Sequence, residues 1–444
     1  MKTGKSNTAA LAFVVICSGM IVLDSIIIRV IASISREPAQ LVTLLLFEGL
    51  SAFFIFSSYV LFRFSRQNNS SQSDRKIIKV SKLLIGIAIV NQLALCGLVG
   101  SIAISLAIFG AFVTQTISII IYVSYVGAIA YLLFLSYHLF RWFKSIRNYP
   151  ILLFGLAFSL IIVNLIVSIA YLTMAISYYD PIIKMKRIKG ALATVQSPTS
   201  GMISLSTIYT YLSLIAFVLI WIPTIAQLKR YTMSLGSAKY WVLVTIPLVY
   251  YIFPLVADGL GIFDSLRLDY GSQFNLIYVI FFSPYRQVGG LLFGIVFWIT
   301  ALKVKRMDLR VMLQLAGTGM ILLFGSTVLH GLTYIVAPPF GIIATSFTAL
   351  AAYLVMLGLY SSAIIFSTDS EVRKDLRKLV QNDASLLHGI GSAEMRRELE
   401  HRVLTVTKKH QEEMAELSGI SSAMNEDDIK EYLDKVLKEM KEKK

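Results

Sequence analysis

The sequence predicts an all-α polytopic membrane bundle of about ten spans that ends in a cytoplasmic helical hairpin or coiled-coil tail. Three observations predict it. Hydrophobic residues make up 56% of the 444 and charged residues only 15%, against roughly 25% charged in an ordinary soluble domain. The mean hydropathy is +0.71, more apolar surface than a soluble globule can hide. Apolar runs also recur at the length of about twenty residues that crosses ~30 Å of hydrocarbon. Collagen, disulfide scaffolds and intrinsic disorder are excluded by the same figures.

Ten helices are expected, at 9–32, 39–62, 83–106, 117–140, 150–176, 205–228, 240–257, 287–302, 311–333 and 342–366. The first run is too long for the apolar part of a cleaved signal peptide, so it reads as a retained span. The stretch Leu83 to Phe140 contains no Asp, Glu, Lys or Arg. It is too long for one span, and Gly110 with Thr114, Gln115 and Thr116 supplies a turn between two.

Charge sets the expected orientation. Residues 1–366 carry 26 Lys and Arg against 9 Asp and Glu, and residues 367–444 carry 15 against 17. The positive charge therefore belongs to the membrane part. It clusters in alternate short loops, with Arg63, Arg66, Arg75, Lys76, Lys79 and Lys82 in one and Arg141, Lys144 and Arg147 in the next. Positive loops stay cytoplasmic, so both termini are expected in the cytoplasm, with the bundle in a plasma or cytoplasmic membrane. The same pattern makes lipid the expected partner of the positive charge and gives no reason to expect nucleic acid. The segment Ser177 to Ser204 is expected outside yet carries Lys184, Lys186, Arg187 and Lys189, which suits outer lipid headgroups. The external segment Asp258 to Tyr285 turns apolar from Phe274 to Phe282, and nine residues are too few to cross, so an interfacial or re-entrant piece is expected.

Ionisable residues inside spans are expensive and draw attention first. Asp24, Arg29 and Glu48 lie in the first two spans. Asp24 and Glu48 each sit nine residues inward from the outer turn, about 13 Å deep at 1.5 Å per residue. Carboxylates at one depth on adjacent helices make a candidate proton or cation site, or a satisfied ionic lock with Arg29. Pro223, Pro247 and Pro254 lie inside spans six and seven, where proline frees a carbonyl and kinks a helix. Broken helices serve substrate sites in transporters. Asn91, Gln92 and Asn164 are expected to bond across helices. Cys17 and Cys96 read as buried inert thiols. His138 and His330 have no ligand-spaced partner, so no metal or other cofactor is expected.

After Phe366 the composition changes to that of a soluble segment. Ser367 to Ser370 supply cap residues, and 371–381 reads as a helix leaving the membrane. Asn382, Gly389 and Gly391 suggest a break, after which Ser392 opens a long helix to Ser418. Its apolar stripe is Met395, Leu399, Val403, Val406, Met414 and Leu417, with the pattern of 395–406 repeated in 406–417. An eleven-residue repeat gives a nearly straight stripe. Asn425 caps a last helix whose apolar face is Ile429, Leu433, Val436, Leu437 and Met440. Residues 392–444 thus suit a cytoplasmic protein partner or a homodimer.

No nucleotide loop, nucleophile elbow or kinase motif set is present, so an enzyme is not expected. Three function classes fit. The first is a membrane sensor or signalling adaptor whose bundle biases the tail helices. The second is a proton- or cation-coupled secondary transporter using Asp24 and Glu48. The third is a structural subunit of a membrane complex that docks through its tail.

Overall fold

The computed structural model describes residues 13, 16–24, 26–27, 40–69, 75–110, 113–189, 199–232, 237–282, 285–304, 306–327, 339–368 and 386–418. Among these the chain is helical and contains no strand. A first segment, α1 (residues 16–24), is followed by α2 (Gln40–Asn69), α3 (Arg75–Phe109), α4 (Thr114–Ile146), α5 (Tyr149–Lys189) and α6 (Ser200–Thr232). Then come α7 (Ser237–Gly259), α8 (Ile262–Phe282), α9 (Tyr285–Lys303) and α10 (Met307–Ser326). The last are α11 (Ile342–Ser346), α12 (Thr348–Thr368) and α13 (Leu386–Ser418). Nine helical stretches among the described residues are long and apolar enough to cross a membrane. The chain is an all-α polytopic bundle. Half of the expected first span, 9–32, lies outside the described residues, as do 328–333 of the expected ninth.

The turn between α3 and α4 falls where the polar group marked it. Gly110 adopts φ +62° and its amide bonds Leu106 O at 3.0 Å, a left-handed helix end that glycine tolerates best. Two expected loops turn out to be helical. α5 continues through the start of the basic segment as far as Lys189, with Pro181 inside it. The Asp258–Tyr285 segment is mostly α8, a helix bent at Gly271, whose φ 47° and ψ −118° are open only to glycine at low cost.

The described residues form two compact units, one drawn from Met1–His138 and Leu153–Ser361, the other from Leu139–Leu152 and Ser362–Lys444. Helices α4, α5 and α12 contribute residues to both.

In the first unit the last spans are innermost. An 18-residue window within Ile342–Ser367 is 100% buried inside the protein and one within Met307–Ser326 is 94% buried, whereas one within Leu83–Phe109 is 22% buried. Glycine explains the close approach of the inner helices. A Cβ on Gly319 would lie 2.6 Å from Val355 N, and one on Gly358 2.6 Å from Met312 O. Gly294 and Gly317 face each other in the same way between α9 and α10. Without a hydrophobic drive between helices in lipid, such small-residue contacts let dispersion hold the bundle.

Peripheral helices bury one face and turn the other to lipid. On α3 the inner positions are Ala88, Gln92, Leu95, Val99 and Ile102, spaced by three and four, while Ile87, Val90 and Leu93 are exposed. Gln92 Nε2 donates to Ser58 Oγ on α2 at 2.9 Å, the expected bond across helices.

Candidate functional site

The intramembrane charges come first. Asp24 is fully buried, and its partners are backbone amides from the far end of the chain. Gly341 N donates to Oδ1 at 2.9 Å and Ala344 N to Oδ2 at 2.8 Å. Gly341 is the N-cap of α11 at φ 89°. A carboxylate from α1 therefore caps α11, satisfying amide donors that a helix start leaves open and complementing its positive dipole end. Nearby, Thr348 Oγ1 donates to Ser326 O at 3.4 Å.

Glu48 lies on α2, half-buried, and its Oε1 has no hydrogen-bond partner. No hydrogen bond therefore joins that oxygen to Asp24. Arg29 falls outside the described residues. Pro223 sits inside α6, and Pro247 and Pro254 inside α7, with both helices continuing past them. Trp221 Nε1 donates to Val244 O at 3.1 Å and Tyr240 Oη to Ile225 O at 2.9 Å, so the two proline-bearing helices are tied to each other by aromatic donors.

Asn164 and its surroundings form a second polar cluster. Tyr209 Oη donates to Thr327 O at 3.1 Å, and Ser213 Oγ and Tyr251 Oη lie 2.7 Å apart. His138 is buried, with Nδ1 2.9 Å from Phe134 O and its ring 5.0 Å from that of Tyr360. His330 lies outside the described residues. Both cysteines are free.

The second unit joins the tail helix to the turn between α4 and α5. That turn is tight. Arg147 takes the left-handed conformation at φ 55° and its amide bonds Phe143 O at 2.7 Å, closing α4. Asn148 O accepts from Ile151 N at 3.1 Å, opening α5. Against it lies the start of α13. Trp142 Nε1 donates to Glu394 Oε2 at 2.8 Å, and Arg396 Nη1 to Ser145 O at 3.1 Å. Leu386, Leu387, Ile390 and Ala393 are buried. A Cβ on Gly389 would lie 2.7 Å from Asn148 Nδ2, and one on Gly391 would collide with the ring of Phe366.

This corrects the expected break at Gly389 and Gly391. α13 starts at Leu386 and runs through both, because the glycines serve close approach rather than a turn. Further along α13, Leu399, Val403 and Val406 of the expected stripe are exposed and Met395 is half-buried. The side chains of Met414 and Leu417 are outside the described set, as are Asn382 and the last helix. Trp142, Glu394 and the glycine pair were missed as site residues. Two glycines in one otherwise amphipathic helix were the available signal.

Among the described residues no group of three or more His, Cys, Asp or Glu side chains is placed to hold a metal. Comparison with known proteins finds no matching family model, no similar curated protein and no similar solved structure.

Proposed function

We propose that this chain is a membrane sensor or signalling adaptor. In this reading both termini lie in the cytoplasm, and the state of the helical body biases how the tail helix packs. One observation carries it: the base of α13 is fastened to the α4–α5 turn by Trp142–Glu394 and Arg396–Ser145, while its distal apolar positions stay open. A tail that served only as a flexible tether would need no such footing. The open stripe, within 392–444, is the surface for a cytoplasmic protein or a second copy.

The reading is tested by amide hydrogen exchange of residues 386–393 in the full-length protein. Asp24→Asn, which alters only the body, is expected to change protection there; Gly97→Leu, on a glycine with nothing within 4 Å of its added Cβ, is expected not to. Identical exchange in Asp24→Asn and the wild type removes the reading. Trp142→Phe is expected to raise exchange over the same residues by about tenfold or more, since a hydrogen bond to a charged group contributes about 1.5–3 kcal/mol.

The transporter reading is favoured by Glu48, whose buried Oε1 has no hydrogen-bond partner. It expects Glu48→Gln to abolish proton-coupled uptake while exchange at the base of α13 stays at the wild-type level. Uptake unchanged by that substitution dismisses it.

A further inference from the structure

Between α5, α6 and α10 lies a cavity of about 20 Å³, lined on its polar side by Asn164, Tyr209, Ser213 and Thr327. Asn164 is 94% buried, near the middle of the span Tyr149–Ile176, and its Oδ1 has no hydrogen-bond partner. An amide oxygen without a partner in a low-dielectric interior costs about 1–3 kcal/mol, so a helix carrying one is poorly accounted for by packing alone. We infer that the cavity is a binding site for a single water molecule, which joins α5 to the hydroxyl network of its neighbours.

Size, charge and bonding capacity each select that guest. A water needs about 10–15 Å³ of such space and two to four polar partners, and the cavity offers about 20 Å³. None of the lining residues is charged, and a bare cation enclosed without a counter-charge would forfeit several kcal/mol of hydration. A hydroxyl can make more than one bond: Tyr209 Oη donates to Thr327 O, and Ser213 Oγ and Tyr251 Oη share one bond. The water donates one proton to Asn164 Oδ1 and the other to Tyr209 Oη or Ser213 Oγ. The result is a continuous polar link from α5 through α6 to α7 and α10.

The test is a density map of the full-length protein in lipid nanodiscs, at a resolution that shows ordered water. One peak is expected within hydrogen-bonding distance of Asn164 Oδ1 and of Ser213 Oγ or Tyr209 Oη. A dry cavity, or an Asn164 amide turned onto a protein donor, overturns the inference. Thermal unfolding at equal ionic strength in sodium, potassium and choline chloride separates water from a cation. One midpoint in all three salts is expected. A saturable rise with sodium or potassium that Asn164→Leu removes overturns the neutral guest.

Discussion

Gly358→Leu is expected to leave no folded body. Even the first added carbon would lie 2.5 Å from Ala316 N, 2.6 Å from Met312 O and 2.7 Å from Ala316 Cβ. The first two are backbone atoms of α10, so no rotamer change relieves the clash. The two innermost helices would have to separate along their shared face. Overpacking of a tight core usually costs about 1–3 kcal/mol and occasionally more; here the upper end or beyond is expected, because backbone has to move. The check is the monodisperse fraction and thermal midpoint of purified protein, with Gly97→Leu as the control. Gly97 is exposed and a Cβ there meets nothing within 4 Å, so that change should hold or raise the midpoint. Losing a helix-interior glycine gains about 0.8–1 kcal/mol of helix propensity. Equal midpoints for the two variants would contradict the close approach of α10 and α12.

Asp24→Ala is expected to produce the second largest loss. The carboxylate is the acceptor for Gly341 N and Ala344 N. Alanine leaves both amides unpaired in a buried site, at about 1–3 kcal/mol each, and also removes the cap at the start of α11. Asp24→Asn keeps one acceptor oxygen and should lose less. Unfolding midpoints should rank wild type, then Asn, then Ala. A midpoint for Asp24→Ala equal to the wild type would mean that the carboxylate is held for chemistry rather than for this cap.

That residue also marks where reading the sequence succeeds and where it stops. Asp24 stood out because a carboxylate inside an apolar run is costly, and the cost is legible without coordinates. Its partners were not legible. They are main-chain amides 317 and 320 residues away, and any residue type other than proline presents the same N–H group. Glu48, its companion by matched depth, has an Oε1 without a hydrogen-bond partner. Gly389 and Gly391 show a related ambiguity. Glycine is called for both where a chain must turn and where two backbones nearly touch, and only the position of Asn148 and Phe366 decides which. At Gly110 the turn was readable, because the polar group beside it left one interpretation.

By itself the sequence determined the class of the molecule, the approximate centres of most membrane-length helices, and the change of composition after Phe366. Those follow from composition along a line: a run of about twenty apolar residues is stable only in hydrocarbon, and a run of charged ones only in water. Which helices became the core, and which face of each turned inward, was decided by tertiary structure. Over their membrane-length stretches α12 and α3 are similarly apolar, yet one is enclosed by protein and the other faces lipid over most of its surface. A leucine loses its water equally well against another helix or against an acyl chain. The choice between them rests on how closely backbones approach at Gly319, Gly358 and Gly294, a three-dimensional distance with no counterpart in the order of residues.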